Sequence, residues 1–214
     1  MIRIVIADDH AIVREGLKRI VGAVADMQVL GEAANGTEVM AQVRALDFDV
    51  LVLDLSMPGR SGMELIKQIK AEKPRLRILV LSMHQELQYA VRAIKSGASG
   101  YLTKESAPAL LEQALRKVSG GGAYVTAEVA EQLALGAMPG SDVPPHSTLS
   151  DREFEVLRLL VGGQSVTDAA HALNLSVKTV STHKANLMRK LGTNNQNDLF
   201  RYALKHGLAD QLAP

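Results

Sequence analysis

Three runs of four apolar residues, 4–7, 50–53 and 78–81, punctuate the first half of the chain. They are continuous rather than alternating and rich in Ile, Val and Leu, the pattern of strands buried on both faces. Weaker runs at 29–33 and 100–102 predict two further strands. Between and after them, apolar positions recur at helical spacing over 13–25, 37–46, 62–72, 86–96 and 107–118. Five strand-then-helix units predict an α/β fold over 1–120: a five-stranded parallel, doubly wound sheet with helices on both faces, joined by right-handed crossovers. From residue 149 only helical patterns remain, at 151–161, 166–173, 177–191 and 196–206, which predicts an all-α four-helix domain over 149–214.

The segment between the two patterns, 121–148, has a different character. After the triplet Gly120-Gly121-Gly122 a short helix fits residues 127–135, and GAMPGSDVPPHS at 136–147, with three prolines, has the composition of an exposed linker.

Composition changes this picture little, except by exclusion. There is no Cys and no Trp among the 214 residues, so disulfides and thiolate metal sites are ruled out and a reducing compartment, the cytoplasm by default, is expected. No run reaches the roughly 18 apolar residues of a membrane span. The net charge of +1 is uninformative, and residues 149–214 carry eight bases against six acids. Within 177–191, however, Lys178, Lys184, Arg189 and Lys190 occur with no acid, the local basic character that nucleic-acid contacts require.

In open parallel sheets ligands bind beyond the carboxyl ends of the strands, where the strand order reverses. The residues just past those ends are Asp8 and Asp9, Asp54, Ser82 and Lys104. Three carboxylates brought to one edge repel each other unless a cation neutralises them. Mg²⁺ suits such a set, because it takes oxygen ligands and shares its shell with phosphate oxygens. Asp9 and Asp54 are the expected direct ligands and Asp8 a water-mediated one. Such a site can accept a phosphoryl group on a carboxylate, with Asp54 attacking, Ser82 donating a hydrogen bond, and Lys104 offsetting charge.

These residues resemble the receiver domain of two-component response regulators: the pair Asp8-Asp9, Asp54 within LVLDLSMPGRSG, the switch hydroxyl Ser82, the switch aromatic Tyr101, and Lys104. The resemblance implies a flavodoxin-like fold, Asp54 as phosphoacceptor, the backbone carbonyl of Ser56 as a further Mg²⁺ ligand, and an inward shift of Ser82 and Tyr101 on phosphorylation. The family often has a proline in a cis peptide after the lysine; here Glu105 follows. His84 stands where the family tunes loss of the phosphoryl group, and His10 follows the acidic pair. A haloacid-dehalogenase-like phosphatase uses similar groups, but it places two acids two residues apart after the first strand. Asp8 and Asp9 are adjacent, and Asp54 is isolated from them.

The C-terminal pattern opens with Ser150 and Glu153, spaced as a capping box. SVTDAAHALNLSVKTVSTHKANLMRKL then reads as helix, tight turn, helix. On a helical wheel Val177, Val180, Leu187, Met188 and Leu191 gather on one face, and Lys178, Thr182, Ala185, Asn186 and Arg189 lie opposite, free to enter a major groove. Lys184 falls near the apolar centre and is expected to snorkel. The LSDRE, KTV and KLG segments resemble the LuxR-type DNA-binding domain, although Val166-Thr167 depart from its usual Asn and basic residue. By position Lys178, Thr179, Lys184 and Lys190 would hold phosphates, and Ser181, Thr182 and Ala185 would lie over base edges with Asn186 and Arg189 beside them.

The whole chain thus resembles a NarL/FixJ-type response regulator. That resemblance implies a sensor histidine kinase as phosphodonor, double-stranded promoter DNA as target, and a homodimer when phosphorylated, with the last helix carrying the dimer contact. Two readings compete: a stand-alone phosphohydrolase, and a DNA-binding protein whose first domain only dimerises.

Overall fold

The computed structural model describes residues 1–57, 62–83, 87–136 and 144–208. His84, singled out above, lies outside them. Residues divide into two compact units, 1–138 and 139–214.

The first unit is a parallel sheet of β1 (Ile2–Ala7), β2 (Met27–Ala33), β3 (Val50–Asp54), β4 (Arg77–Ser82) and β5 (Gly100–Thr103), in the order β2-β1-β3-β4-β5. Its helices are α1 (Ala11–Gly22), α2 (Gly36–Ala45), α3 (Gly62–Glu72), α4 (Leu87–Lys95), α5 (Ala107–Ser119) and α6 (Ala127–Leu135). Ile4, Ile6, Leu51, Leu53, Leu79 and Leu81 are fully buried, as continuous apolar runs in a sheet covered on both faces must be. Each such side chain stabilises the fold by roughly 1.5–3 kcal/mol relative to exposure.

The first helix is displaced from its expected range. It starts at Ala11 because His10 takes the extended conformation of an N-cap. It stops at Gly22 because the chain turns through Ala23–Asp26, with the Met27 N–H on the Val24 carbonyl, to enter β2. The glycine triplet is also a turn: Gly121 has φ +89°, and the chain returns so that Tyr124 pairs beside β5, accepting from the Tyr101 N–H at 2.9 Å and donating to the Ser99 carbonyl at 3.0 Å. The helix expected at 127–135 forms and packs against α4 within this unit.

The second unit contains a short 3-10 helix (Pro145–Thr148), then α7 (Asp151–Val161), α8 (Val166–Leu173), α9 (Val177–Leu191) and α10 (Gln196–Lys205). Part of the expected linker is therefore folded here. His146 is buried, and the Tyr202 hydroxyl meets both its Nδ1, at 3.1 Å, and its backbone N–H. Ser150 and Glu153 form the expected capping box on α7, and Ser165 with Asp168 forms another on α8. Asn174, at φ 54°, is the described non-glycine residue in the left-handed region; it ends α8 and lets Ser176 cap α9. That left-handed residue between two capped ends sets the tight turn.

Glu153 does two jobs. Its carboxylate accepts from the Ser150 N–H at 2.7 Å and from Lys190 Nζ at 2.6 Å, joining the start of α7 to the end of α9. Burial pushes its pKa up, but the Lys190 and Ser150 hydrogen bonds outweigh burial and leave it lowered. Replacing Glu153 with Ala removes the cap partner and leaves the ammonium unpaired, so Glu153→Ala is expected to lower the stability of the helical unit by about 2–3 kcal/mol. Urea unfolding followed by circular dichroism checks this. Because the folded pKa is depressed, the wild-type contribution is present above the unfolded value and is lost as pH falls through the folded one.

Candidate functional site

Strand register explains how residues far apart in sequence converge. Ala7 pairs with Leu53, so Asp8 emerges beside Asp54; Asp54 pairs with Leu81, one residue before Ser82; Ser82 pairs with Thr103, one residue before Lys104. The order reverses between β1 and β3, since β2 lies to one side and β4 to the other. The acids therefore sit at the switch point, where neighbouring connections diverge and leave a crevice.

Lys104 Nζ lies 2.8 Å from Asp54 Oδ2 and 2.6 Å from Asp8 Oδ2. Asp54 Oδ1 accepts from the Ser56 N–H at 3.0 Å, so both of its oxygens are oriented. Asp8 Oδ1 accepts from the His10 N–H at 2.8 Å, and the Asp8 carbonyl accepts from Arg14 at 2.7 Å. Asp54 and Asp8 are each 1% exposed, whereas Asp9 is half-buried and reaches toward solvent. Burial pushes the Asp54 pKa up, opposed by the Lys104 and Ser56 hydrogen bonds, and the balance leaves it raised. For Lys104 burial acts in the opposite sense, but its bonds to Asp54 and Asp8 prevail and its pKa is raised, which secures the ammonium.

Ligand atoms of Asp8, Asp9, His10 and Asp54 lie within 4.8 Å of one another. Three carboxylates around one ammonium leave a net charge near −2, which a divalent cation would balance. The donor set is dominated by hard oxygens and fits Mg²⁺.

Ser82 and Tyr101 are both buried. Tyr101 already lies inside, so the inward shift expected of it has no outward starting point in this structure. The peptide between Lys104 and Glu105 is trans, as are the other described peptides, in keeping with the cost of about 2.5–4 kcal/mol for a non-proline cis bond. Gly62, at the start of α3, lies close to Leu55: a Cβ there would meet the Leu55 Cα at 2.7 Å, so only glycine permits this approach.

Sequence reasoning did not single out Arg14 and Glu32. Arg14 donates to the Asp8 carbonyl and pairs with Glu32 at 3.1 Å, and Lys18 pairs with Glu32 at 2.7 Å. The hydrogen bond from Lys18 is the largest of the effects that lower the Glu32 pKa. The usable signal was positional, an acid near the carboxyl end of the neighbouring strand.

In the helical unit Val180, Leu187 and Leu191 are buried as expected, and Met188 is half-buried. Val177 differs: at the first turn of α9 it projects past the packing surface and is 46% exposed. Lys178, Thr179, Ser181, Thr182, Ala185 and Arg189 are exposed, and Lys184 and Asn186 are half-buried. The Thr182 hydroxyl donates back to the Lys178 carbonyl at 3.0 Å, and Thr179 meets the Ser176 hydroxyl at 2.7 Å. Lys184 reaches Gln196 Oε1 at 3.4 Å, the snorkelling anticipated for it. Lys190 turns to Glu153 and the Thr148 carbonyl instead of standing free, because the buried carboxylate is the stronger partner. Its ammonium is thus engaged in holding α9 to α7.

Comparison with known proteins agrees with both units. The model of the response regulator receiver domain matches residues 4–116, and that of the luxR family of bacterial regulatory proteins matches 147–203. Response regulator GacA of Pseudomonas viridiflava is 34% identical over 214 residues, covering 100% of each chain. Response regulator UvrY of Escherichia coli K12 is 33% identical over 211 residues, 98% of this chain and 97% of the relative. Among solved structures, RcsB from Salmonella enterica serovar Typhimurium, bound to promoter rprA in the presence of phosphomimetic BeF3−, is 34% identical with a TM-score of 0.67, covering 94% of this chain and 98% of that one. A structure of two RcsB dimers bound to two parallel DNAs is 34% identical with a TM-score of 0.59, covering 95% and 98%. With both halves matched and relatives aligned over nearly their whole length, the chain belongs to the NarL/FixJ-type response regulators, a receiver domain followed by a LuxR-type regulatory domain.

Proposed function

We propose that the chain is a DNA-binding transcription regulator switched by phosphorylation of Asp54. The observation that carries this reading is the Asp54 carboxylate itself, buried, held by Lys104 on one oxygen and the Ser56 N–H on the other, beside two further acids. An Asp54 oxygen forms the new bond to phosphorus as the P–N bond of a kinase phosphohistidine breaks and its electron pair leaves on the imidazole. Lys104 offsets charge on the phosphoryl oxygens, and the Ser82 hydroxyl donates to one of them. Asp8, Asp9, Asp54 and the Ser56 carbonyl would hold Mg²⁺, which supplies further charge neutralisation during transfer.

The RcsB structures are of promoter-bound and dimeric forms of that protein. For this chain, the exposed face of α9 from Lys178 to Arg189 supports the same mode: Lys178, Thr179 and Lys184 toward phosphates, Ser181, Thr182 and Ala185 over base edges, and Asn186 and Arg189 beside them. Phe200 and Leu204, about half exposed on α10, support a contact between two copies through that helix. The burial of Tyr101 in this structure supports a switch in which β5 and its neighbours change population rather than an aromatic that swings in from solvent. Against a phosphohydrolase stands the isolation of Asp54 on β3, and among the described residues no helix is long and apolar enough to cross a membrane.

Incubation with acetyl phosphate and Mg²⁺ should shift the wild-type band on a phosphate-affinity gel and leave Asp54→Asn unshifted. Steady release of inorganic phosphate from phosphoesters would instead support the hydrolase reading, and equal promoter affinity for Asp54→Asn and the phosphorylated protein would contradict switching. In metal-free protein, Asp54→Asn should raise stability by about 1 kcal/mol at neutral pH, since it removes a buried charge kept for function. The folded pKa of Asp54 lies above its unfolded one, so the penalty is full above the folded value and fades as pH falls toward the unfolded one. Urea melts across that range should show the two proteins converging in acid.

Lys178→Ala should weaken binding to all DNA sequences and reduce the salt slope by about one unit. Lys190→Ala should chiefly lower thermal stability. Fluorescence anisotropy with labelled duplexes at several salt concentrations, paired with melting curves, separates the two effects.

A further inference from the structure

His10 is the N-cap residue of α1, yet its side chain makes no capping hydrogen bond. The imidazole turns instead to the acids: Nδ1 lies 2.9 Å from Asp9 Oδ1 and 3.4 Å from Asp8 Oδ1. Two donors at right angles on an octahedral ion, each about 2.1 Å away, are about 3 Å apart. The spacing of Nδ1 from both carboxylates is therefore that of neighbouring ligands on one cation. The ring is 63% exposed, so it is not held there by packing.

We propose that His10 is a nitrogen ligand of the cation in the acidic pocket, and that it thereby raises the pocket's affinity for first-row transition dications such as Mn²⁺ relative to Mg²⁺. This rests on the reading of the pocket as a divalent-cation site. An imidazole adds little for Mg²⁺, which takes oxygen, but strengthens binding of metals that accept nitrogen. The neutral ring would bind through Nδ1, with the N–H on Nε2. The competing arrangement is an Nδ1–H donating to Asp9 Oδ1, with His10 only orienting that carboxylate.

The test uses the full chain loaded with Mn²⁺ and examined by pulsed electron paramagnetic resonance. The expected result is a nitrogen hyperfine coupling from imidazole in the wild type, absent in His10→Ala and in His10→Asn, the latter keeping a good N-cap residue. Competition titrations should show the Mn²⁺-to-Mg²⁺ affinity ratio falling on the order of tenfold in both variants. Mn²⁺ bound in the pocket without nitrogen coupling, or a coupling that survives both variants, overturns the proposal and leaves the acidic pocket standing. Absence of Mn²⁺ binding in wild type and variants alike overturns the cation site as well.

Discussion

Lys104 stands between two buried carboxylates, and much of the first unit is arranged to keep it there. Its ammonium bridges Asp8 at the end of β1 and Asp54 at the end of β3, the two strands that flank the switch point. Without it, two acids would be buried side by side, which desolvation and mutual repulsion forbid. With it, the site retains an excess of negative charge on groups that are largely buried. That excess is unfavourable by itself and suits the cation and phosphoryl group proposed for the site, which would meet groups already in position.

The helical unit solves a similar problem with the opposite outcome. Glu153 is buried too, but it meets one ammonium and the donors of its own cap, and its charge is fully matched. The pair ties the start of α7 to the end of α9. One ion pair is left hungry for a partner and the other is closed. The difference separates a site from a support.

The sheet, its strand order and the converging acids were legible because unbroken apolar runs have only one stable home, and because a parallel sheet puts its strand ends on one edge. Lys190 shows where that reasoning stops. The position of Lys190 on α9 marks it as a phosphate contact but does not reveal Glu153, thirty-seven residues away in sequence, which captures it. Composition assigns Pro145 and His146 to a linker, whereas Tyr202 on α10 gives His146 a buried partner. The start of α1 was also misplaced, since an apolar pattern marks the buried face of a helix and not the residue whose backbone turns into it.

Tyr124 has a consequence that reaches beyond the turn that delivers it. β5 is one of the two edge strands of its sheet, and an open edge offers unpaired backbone groups to any other chain that can lie alongside. The Tyr124 bridge uses the Tyr101 N–H and the Ser99 carbonyl, so the edge is shielded at those residues. Self-association through strand addition is thereby blocked at that point. At this edge, encounters between copies are left to side-chain surfaces rather than to backbone pairing.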